Sequence, residues 1–138
     1  MTVELARRAV LAWLVLAVVM FANGAVRVLV LQPRLGERLA RQVATGGGVF
    51  IVCAAAFLFV RGLATPSGSE LLKVGVLWLI LTLGFEFGLG LATGMTWPAM
   101  LADYDVREGR LWPLIPASAL VAPWAWGALL GGHTSPRD

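Results

Sequence analysis

Long apolar runs separated by short polar connections make up most of this chain. Crossing the roughly 30 Å hydrocarbon core of a bilayer takes about 20 helical residues. Four runs approach or exceed that length, and the predicted spans cover about residues 9–31, 46–63, 71–95 and 111–131. Four spans place both termini on the same side of the membrane, which we call side A, opposite side B. The pattern predicts an all-α membrane protein, a four-transmembrane-helix bundle forming a single membrane domain over residues 1–138.

The connections contain the residues that begin and end helices. Pro33 is expected to end the first span, because proline disfavours helical geometry in the residue before it. Residues 36–43 (GERLARQV) are predicted to form a short helix on the membrane surface, and Thr45 is the expected N-cap of the second span. Residues 65–69 (TPSGS) have the composition of a turn. The connection over residues 96–110 is the longest and the most polar.

Composition and charge indicate that lipid solvates the surface of this protein. Of 138 residues, 59% are hydrophobic and 14% are charged, whereas a soluble domain carries about 25% charged residues. The formal net charge is +3, and ten of the eleven basic residues are arginines. These arginines are spread between the apolar runs, which fits helix-flanking anchors in a lipid bilayer. A nucleic-acid partner is not expected, because no polar face gathers the basic residues.

The positions of tryptophans and basic residues indicate how the spans lie in the membrane. Amphipathic indole rings favour headgroup depth, and the four-span arrangement puts Trp13, Trp78, Trp124 and Trp126 toward side A and Trp97 and Trp112 at side B. Basic residues number five on side A and six on side B, which is too even for the positive-inside rule to fix the orientation. An even count also permits an antiparallel dimer. A second copy of the chain and another membrane protein are therefore both compatible partners.

Glu86 is the strongest candidate for chemistry, because it lies inside the third span. A charged side chain near the bilayer centre costs about 3 kcal/mol on insertion scales, so it should face protein or water and have a partner. Helical spacing puts Thr82, Glu86, Gly90 and Thr93 on one stripe, and Gly90 would let a neighbour approach closely. The predicted intramembrane polar site therefore includes Glu86 and Thr82. It holds a proton or ion if functional, and locks helix packing if structural.

Arg27 is the predicted partner of Glu86, with Asn23 one helical turn earlier. Counting from the side B ends of the spans puts Asn23 at the depth of Glu86, and Arg27 about one turn, ~5 Å, nearer the interface. Side chains lean toward the N-terminus of their helix, so Arg27 leans back toward Glu86. In the alternative interpretation, Arg27 extends outward to side B and pairs with lipid phosphate.

The polar connection before the fourth span is the second candidate site. It contains three carboxylates and two arginines within eight residues, and the residues singled out are Asp103, Tyr104, Asp105, Arg107 and Arg110. This mixture suits a cation, a charged headgroup or docking against the arginine-bearing connection on the same side. The alternative is a solvated loop with internal ion pairs, which are common and weak.

Residues that enzymes and metal sites require are scarce. His133 is the single histidine, which rules out bis-histidine haem, His-ligated zinc and an HExxH protease within one chain. Cys53 is the single cysteine and lies in an apolar run, so there is no disulfide framework. The sequence predicts no catalytic residues, no metal site and no cofactor. The protein is not expected to be an enzyme.

Several short motifs together resemble a family of small four-span bacterial membrane proteins whose activity is uncharacterised. In chain order they are NGxxR at 23–27, LGE at 35–37, FEFG at 85–88, DY at 103–104 and GRLW at 109–112. The resemblance covers nearly the whole chain and implies a location in the bacterial inner membrane, but no activity. This chain departs from the family pattern at Val28 and Asp105, where relatives carry Glu and Asn. The resemblance therefore implies no acid–arginine pair within the first span.

Two classes of function remain. In the first, the protein is an ion- or proton-coupled transporter or channel that works through Glu86, Arg27 and Asn23. In the second, it is a non-catalytic accessory or assembly component of a membrane complex, in which Glu86 fixes helix packing and the charged connection docks a partner. Transport is the leading hypothesis for a specific activity.

Overall fold

The computed structural model describes residues 1–102 and 111–131, and every regular element in that part of the chain is helical. The elements are α1 (Val3–Val26), a π-helical turn (Arg27–Leu31), α2 (Gln32–Leu35), α3 (Glu37–Arg61), α4 (Gly68–Ala92), α5 (Trp97–Ala102) and α6 (Leu114–Gly131). Four stretches are long and apolar enough to cross a membrane, namely Val3–Leu35, α3, α4 and α6. The predicted fold class, an all-α bundle of four membrane-spanning helices, is confirmed.

The first span does not end before Pro33, and that prediction was wrong. Helix continues from Val3 to Leu35 because the five residues Arg27–Leu31 form a π-helical turn, in which the N–H of Gln32 donates to the carbonyl of Arg27. Proline has no N–H, and its ring clashes with the preceding turn of a regular α-helix. The wider π-helical turn directly before Pro33 relieves that clash. The helix ends at Gly36, whose φ of +81° suits glycine.

The second span begins earlier than predicted. Residues 36–43 are not a separate surface helix, because α3 starts at Glu37 and runs for 25 residues. Thr45 is not an N-cap but lies inside α3, where it is 4% exposed. Ala40 and Ala44 are also buried, so packing holds the first turns of α3 although arginines cover their outer side. The sequence pattern alone did not reveal this buried face.

The turn predicted over residues 65–69 is confirmed only in its first three residues: the connection covers residues 62–67, and Gly68 and Ser69 already belong to α4. The hydroxyl of Ser67 accepts the N–H of Glu70 at 3.2 Å, and the Glu70 carboxylate accepts the N–H of Ser67 at 3.2 Å. This reciprocal pair is a capping box. α4 runs from Gly68 to Ala92, three residues nearer the N-terminus than the predicted span.

Helix directions alternate along the chain through the first three spans. α1 and α4 run from side A to side B, and α3 runs back from side B to side A. α6 packs extensively against both α4 and α3, while α1 contacts α3 and, less extensively, α4. Leu120 of α6 approaches Gly75 of α4, and Gly127 approaches Leu71, so α6 is antiparallel to α4 and ends on side A. The start of α1 and the end of α6 therefore lie on the same side, as predicted.

Two of the tryptophans expected at the side A interface belong to the core instead. Trp78 is 0% exposed and Trp13 is 9% exposed. Each donates its indole N–H between α1 and α4: Trp78 to the carbonyl oxygen of Ala9 at 2.9 Å and Trp13 to the hydroxyl of Thr82 at 3.1 Å. A buried indole usually has such a partner. About half of the surface of Trp97 and Trp124 is exposed, as expected for interface residues.

Candidate functional site

The two tryptophan bonds establish the register between α1 and α4. Both Trp13–Thr82 and Trp78–Ala9 join residues that are 69 positions apart. Side chains lean toward the N-terminus of their helix. Because one indole belongs to α1 and the other to α4, this lean shifts the apparent offset between the helices in opposite directions, and the two shifts cancel. Glu86 is therefore level with residue 17 of α1. Arg27 lies ten residues farther along, about 15 Å at 1.5 Å per residue.

This register explains why the predicted ion pair between Arg27 and Glu86 is absent. Among residues 1–102 and 111–131, ion pairs join Glu4 to Arg7 and Arg8, and Glu37 to Arg41. The prediction assumed that the spans end level with one another on side B. Instead, Ala92 at the end of α4 is level with Asn23, and the first helix continues twelve residues beyond it to Leu35.

Glu86 contacts Trp112 rather than Arg27. The indole N–H of Trp112 donates to Oε2 of Glu86 at 3.0 Å, and the Glu86 residue is half-buried. Trp112 lies two residues before the start of α6, so the bond ties the beginning of α6 to α4. The sequence pattern placed Trp112 at the side B interface and did not reveal this contact. No local signal marks a bond between residues 26 positions apart.

Asn23 joins α1 to α3 and lies away from Glu86. Its side-chain amide donates to the carbonyl oxygen of Ala44 at 2.9 Å, and a Cβ added at Gly47 would lie 3.4 Å from its Oδ1. Asn23 is therefore a packing contact between two helices. Of the four residues predicted for the intramembrane polar site, Thr82, Glu86 and Arg27 line a common cavity, and Asn23 does not.

That cavity has a volume of about 1100 Å³ and lies between α1, α3, α4 and the beginning of α6. With the register above, it extends from the level of Trp13 to that of Arg27, which is about 21 Å along the helix axis. Its polar wall residues are Thr82 and Glu86 on α4, Thr93 directly after α4, Arg27 after α1, and Glu37, Arg38, Arg41, Gln42 and Thr45 on α3. The charged residues other than Glu86 are concentrated at the side B mouth.

The cavity also opens sideways, between α1 and α4. Phe21 and Phe85 line it and are 69% and 47% exposed, so this wall is open rather than closed by packed side chains. Gly24 is on the same wall, and a Cβ added there would meet nothing within 4 Å. The gap therefore faces the region that lipid occupies around a membrane-spanning bundle.

The predicted close approach at Gly90 is confirmed. Gly90 is buried, and a Cβ added there would overlap Sδ of Met100 from α5. The neighbour is thus a side chain of a short helix rather than another span. Next to it, the hydroxyl of Thr93 donates to the carbonyl oxygens of Leu89 and Gly90 at 2.9 and 3.1 Å. These contacts cap and pack the C-terminal end of α4 at side B.

The second candidate site, the charged connection with Asp103, Tyr104, Asp105, Arg107 and Arg110, lies outside the described residues. Its role in binding or docking stays a prediction. No protein-family model, curated protein or solved structure matches this chain. The resemblance to small four-span bacterial membrane proteins also stays a prediction. Function has to be inferred from the cavity and the groups on its wall.

Proposed function

We propose that this multi-pass membrane protein is an ion- or proton-coupled transporter or channel of the bacterial inner membrane. The cavity binds the transported species, and Glu86 is the coupling group. The observation that carries the proposal is that Glu86 lies on the wall of a large cavity at membrane depth. A carboxylate on such a wall exchanges a proton or cation with water in the cavity, whereas a carboxylate enclosed by packed side chains does not.

The bond to Trp112 links the state of Glu86 to the shape of the cavity. An indole N–H is a donor only, so protonation of the Glu86 oxygen that accepts it weakens the bond at the beginning of α6. Ile115 and Ala119, within the next two turns of α6, line the same cavity. Proton binding at Glu86 therefore has a direct route to the wall of the binding site, as a coupled transporter requires.

The test is whether Glu86 titrates and can be reached. Difference infrared spectroscopy of the protein in lipid nanodiscs should show a carboxyl band that changes between about pH 5 and 9 and disappears in Glu86→Gln, because a coupling acid must change protonation within its working range. A hydrophobic carbodiimide should modify Glu86 in the wild type, detected by peptide mass spectrometry. Absence of both signals would overturn the proposal.

Cysteine accessibility supplies the matched control for the position of the cavity. In a Cys53→Ala background, Thr93→Cys and Thr82→Cys place a thiol on the cavity wall, and Ile80→Cys places one on the same helix but 61% exposed on its outer face. A membrane-impermeant thiol reagent should modify the two cavity positions much faster than position 80. Equal rates at all three would contradict a water-filled cavity.

The alternative is a non-catalytic accessory or assembly component. The observation that favours it is the same Trp112–Glu86 bond, because a structural acid that fixes α6 against α4 would make such a contact. In that case Glu86 neither titrates nor reacts. Purification in mild detergent should then recover a second membrane protein in a fixed ratio.

A further inference from the structure

Three arginines from two helices meet at the side B mouth of the cavity. The Asn23–Ala44 bond and the position of Met20 beside Gly48 set the antiparallel register of α1 and α3. That register puts Arg27 level with residues 40 and 41 of α3. Arg38 and Arg41 are one turn apart there, and all three arginines line the cavity. The cluster is invisible along the chain, because a helix end and a reversal of direction separate its members.

Among the described residues, basic groups outnumber carboxylates at the mouth. Arg41 is paired with Glu37 at 2.7 Å, whereas Arg27 and Arg38 form no ion pair within residues 1–102 and 111–131. Glu86 is too far away to compensate, about 15 Å deeper along the axis. Arg27 is half-buried and Arg38 is exposed, and the planar fork of each guanidinium matches the oxygens of a phosphate.

The height and shape of the cavity indicate where that phosphate comes from. Arg27 is four residues beyond the level at which α4 ends, so it lies where lipid headgroups surround a bundle of this length. Below it, the wall is apolar at Met20, Phe21 and Leu89, and the gap at Phe21 and Phe85 opens toward the bilayer. A free phosphate ion would occupy only the mouth. A phospholipid would fill both the charged mouth and the apolar length.

We propose that the cavity binds an anionic phospholipid, with its phosphate held by Arg27 and Arg38 and one acyl chain extending down between α1 and α4. This inference rests on the cavity of the proposed function and names its ligand class. Glu86 determines the orientation of the ligand, because a second anionic group cannot lie beside this carboxylate. The headgroup therefore stays at side B, and the tail lies along the apolar wall at Met20, Phe21 and Leu89, above the level of Glu86.

The experiment is native mass spectrometry of the full chain with added phosphatidylglycerol or phosphatidylcholine of identical acyl chains. Wild type should bind one phosphatidylglycerol at least about tenfold more tightly than phosphatidylcholine. Arg27→Gln/Arg38→Gln should reduce phosphatidylglycerol affinity at least about tenfold, since each hydrogen bond to a charged group is worth roughly that factor. The control Arg7→Gln/Arg8→Gln removes the same charge from exposed side A positions and should bind like wild type.

A second pair of variants tests the position of the acyl chain. Gly24→Phe fills the gap between α1 and α4, whereas Gly84→Phe adds the same side chain at a position outside the cavity with nothing within 4 Å. Gly24→Phe should weaken phosphatidylglycerol binding at least about fivefold, and Gly84→Phe should not. Inorganic phosphate should not displace the lipid at millimolar concentration.

Three outcomes would overturn the lipid assignment: equal binding of the two lipids, equal losses in the two arginine double variants, or displacement by inorganic phosphate. Lipid binding is measured without transport or titration. If lipid binding fails but Glu86 still titrates, only the phospholipid assignment is wrong. If Glu86 does not titrate but the lipid still binds, only the proposed coupling role of Glu86 is wrong.

Discussion

Between Leu71 and Trp78, α4 touches its neighbours at close range, whereas from Thr82 to Thr93 the same helix lines a cavity. In the side A half, a Cβ added at Gly75 would overlap the carbonyl oxygen of Leu120 in the α6 backbone. In the side B half, Thr82 and Glu86 line the cavity, while Gly84 and Gly88 are exposed on the outer face, where an added Cβ would meet nothing within 4 Å.

The difference shows what drives association when lipid surrounds a bundle. Lipid tails are as apolar as leucine, so helices associate through van der Waals packing and hydrogen bonds rather than through burial of apolar surface. The side A half has both, in Gly75 against Leu120 and in the Trp78–Ala9 bond. The side B half surrounds open space, with the Trp112–Glu86 bond on its wall. We therefore expect the side A half to dominate stability and the side B half to contain the binding site.

The largest difference is expected between two glycine substitutions, one in each half of α4. Gly75→Ala should lower the free energy of unfolding by about 3 kcal/mol, because the new methyl group forces the α4 and α6 backbones apart. Gly88→Ala should leave stability unchanged or raise it by up to about 1 kcal/mol, since alanine is the better helix former. Unfolding in mild detergent, followed by circular dichroism, measures both. Equal losses would mean that Gly75 is packed no more closely than the exposed Gly88, which would contradict the close contact between α4 and α6.

The next largest effect is expected at the buried indole of the side A half. Trp78→Phe should cost about 2 kcal/mol, because it removes the hydrogen bond to Ala9 and leaves a void at a fully buried position. Trp124→Phe is the matched control, since Trp124 is 48% exposed, and it should cost less than about 0.5 kcal/mol. The same unfolding measurement applies. If the Trp78→Phe variant were as stable as the control, Trp78 would not stabilise the core of the side A half.

The smallest effect on stability is expected in the side B half, at the Trp112–Glu86 bond. Trp112→Phe should cost about 1 kcal/mol, the usual net worth of one hydrogen bond, while shifting the infrared carboxyl band of Glu86. Trp97→Phe, at a 55% exposed position, should change neither quantity. A loss as large as that of Gly75→Ala would show that the Trp112–Glu86 bond is a main packing contact. It would then favour the accessory-component alternative.

Sequence reasoning located the spans well and their ends less well. Length and apolarity suffice to identify a membrane-spanning helix, because every backbone group must be satisfied within it. The ends depended on local features that carry little sequence signal. Pro33 did not stop the first helix because a π-helical turn precedes it, and Thr45 did not begin the second because Ala40 and Ala44 are packed.

For the candidate site, sequence reasoning identified residues and failed on their pairing. The cost of a carboxylate in a membrane singled out Glu86, and Thr82 and Arg27 share its cavity. The expected Arg27–Glu86 pair failed because depth was counted from helix ends, which are not level on side B. Trp112 was missed because an interfacial indole and an indole that binds a carboxylate look the same in sequence.

Apolar length and the cost of a buried charge are properties of single segments, so the amino-acid sequence was enough to predict four membrane-spanning helices with an acid inside the third. The register between the helices depends instead on tertiary contacts, namely Trp13 with Thr82 and Trp78 with Ala9. That register separates Arg27 from Glu86 and gathers Arg27, Arg38 and Arg41 at one mouth. Relative helix height depends on contacts between residues far apart in the chain, so no single segment encodes it.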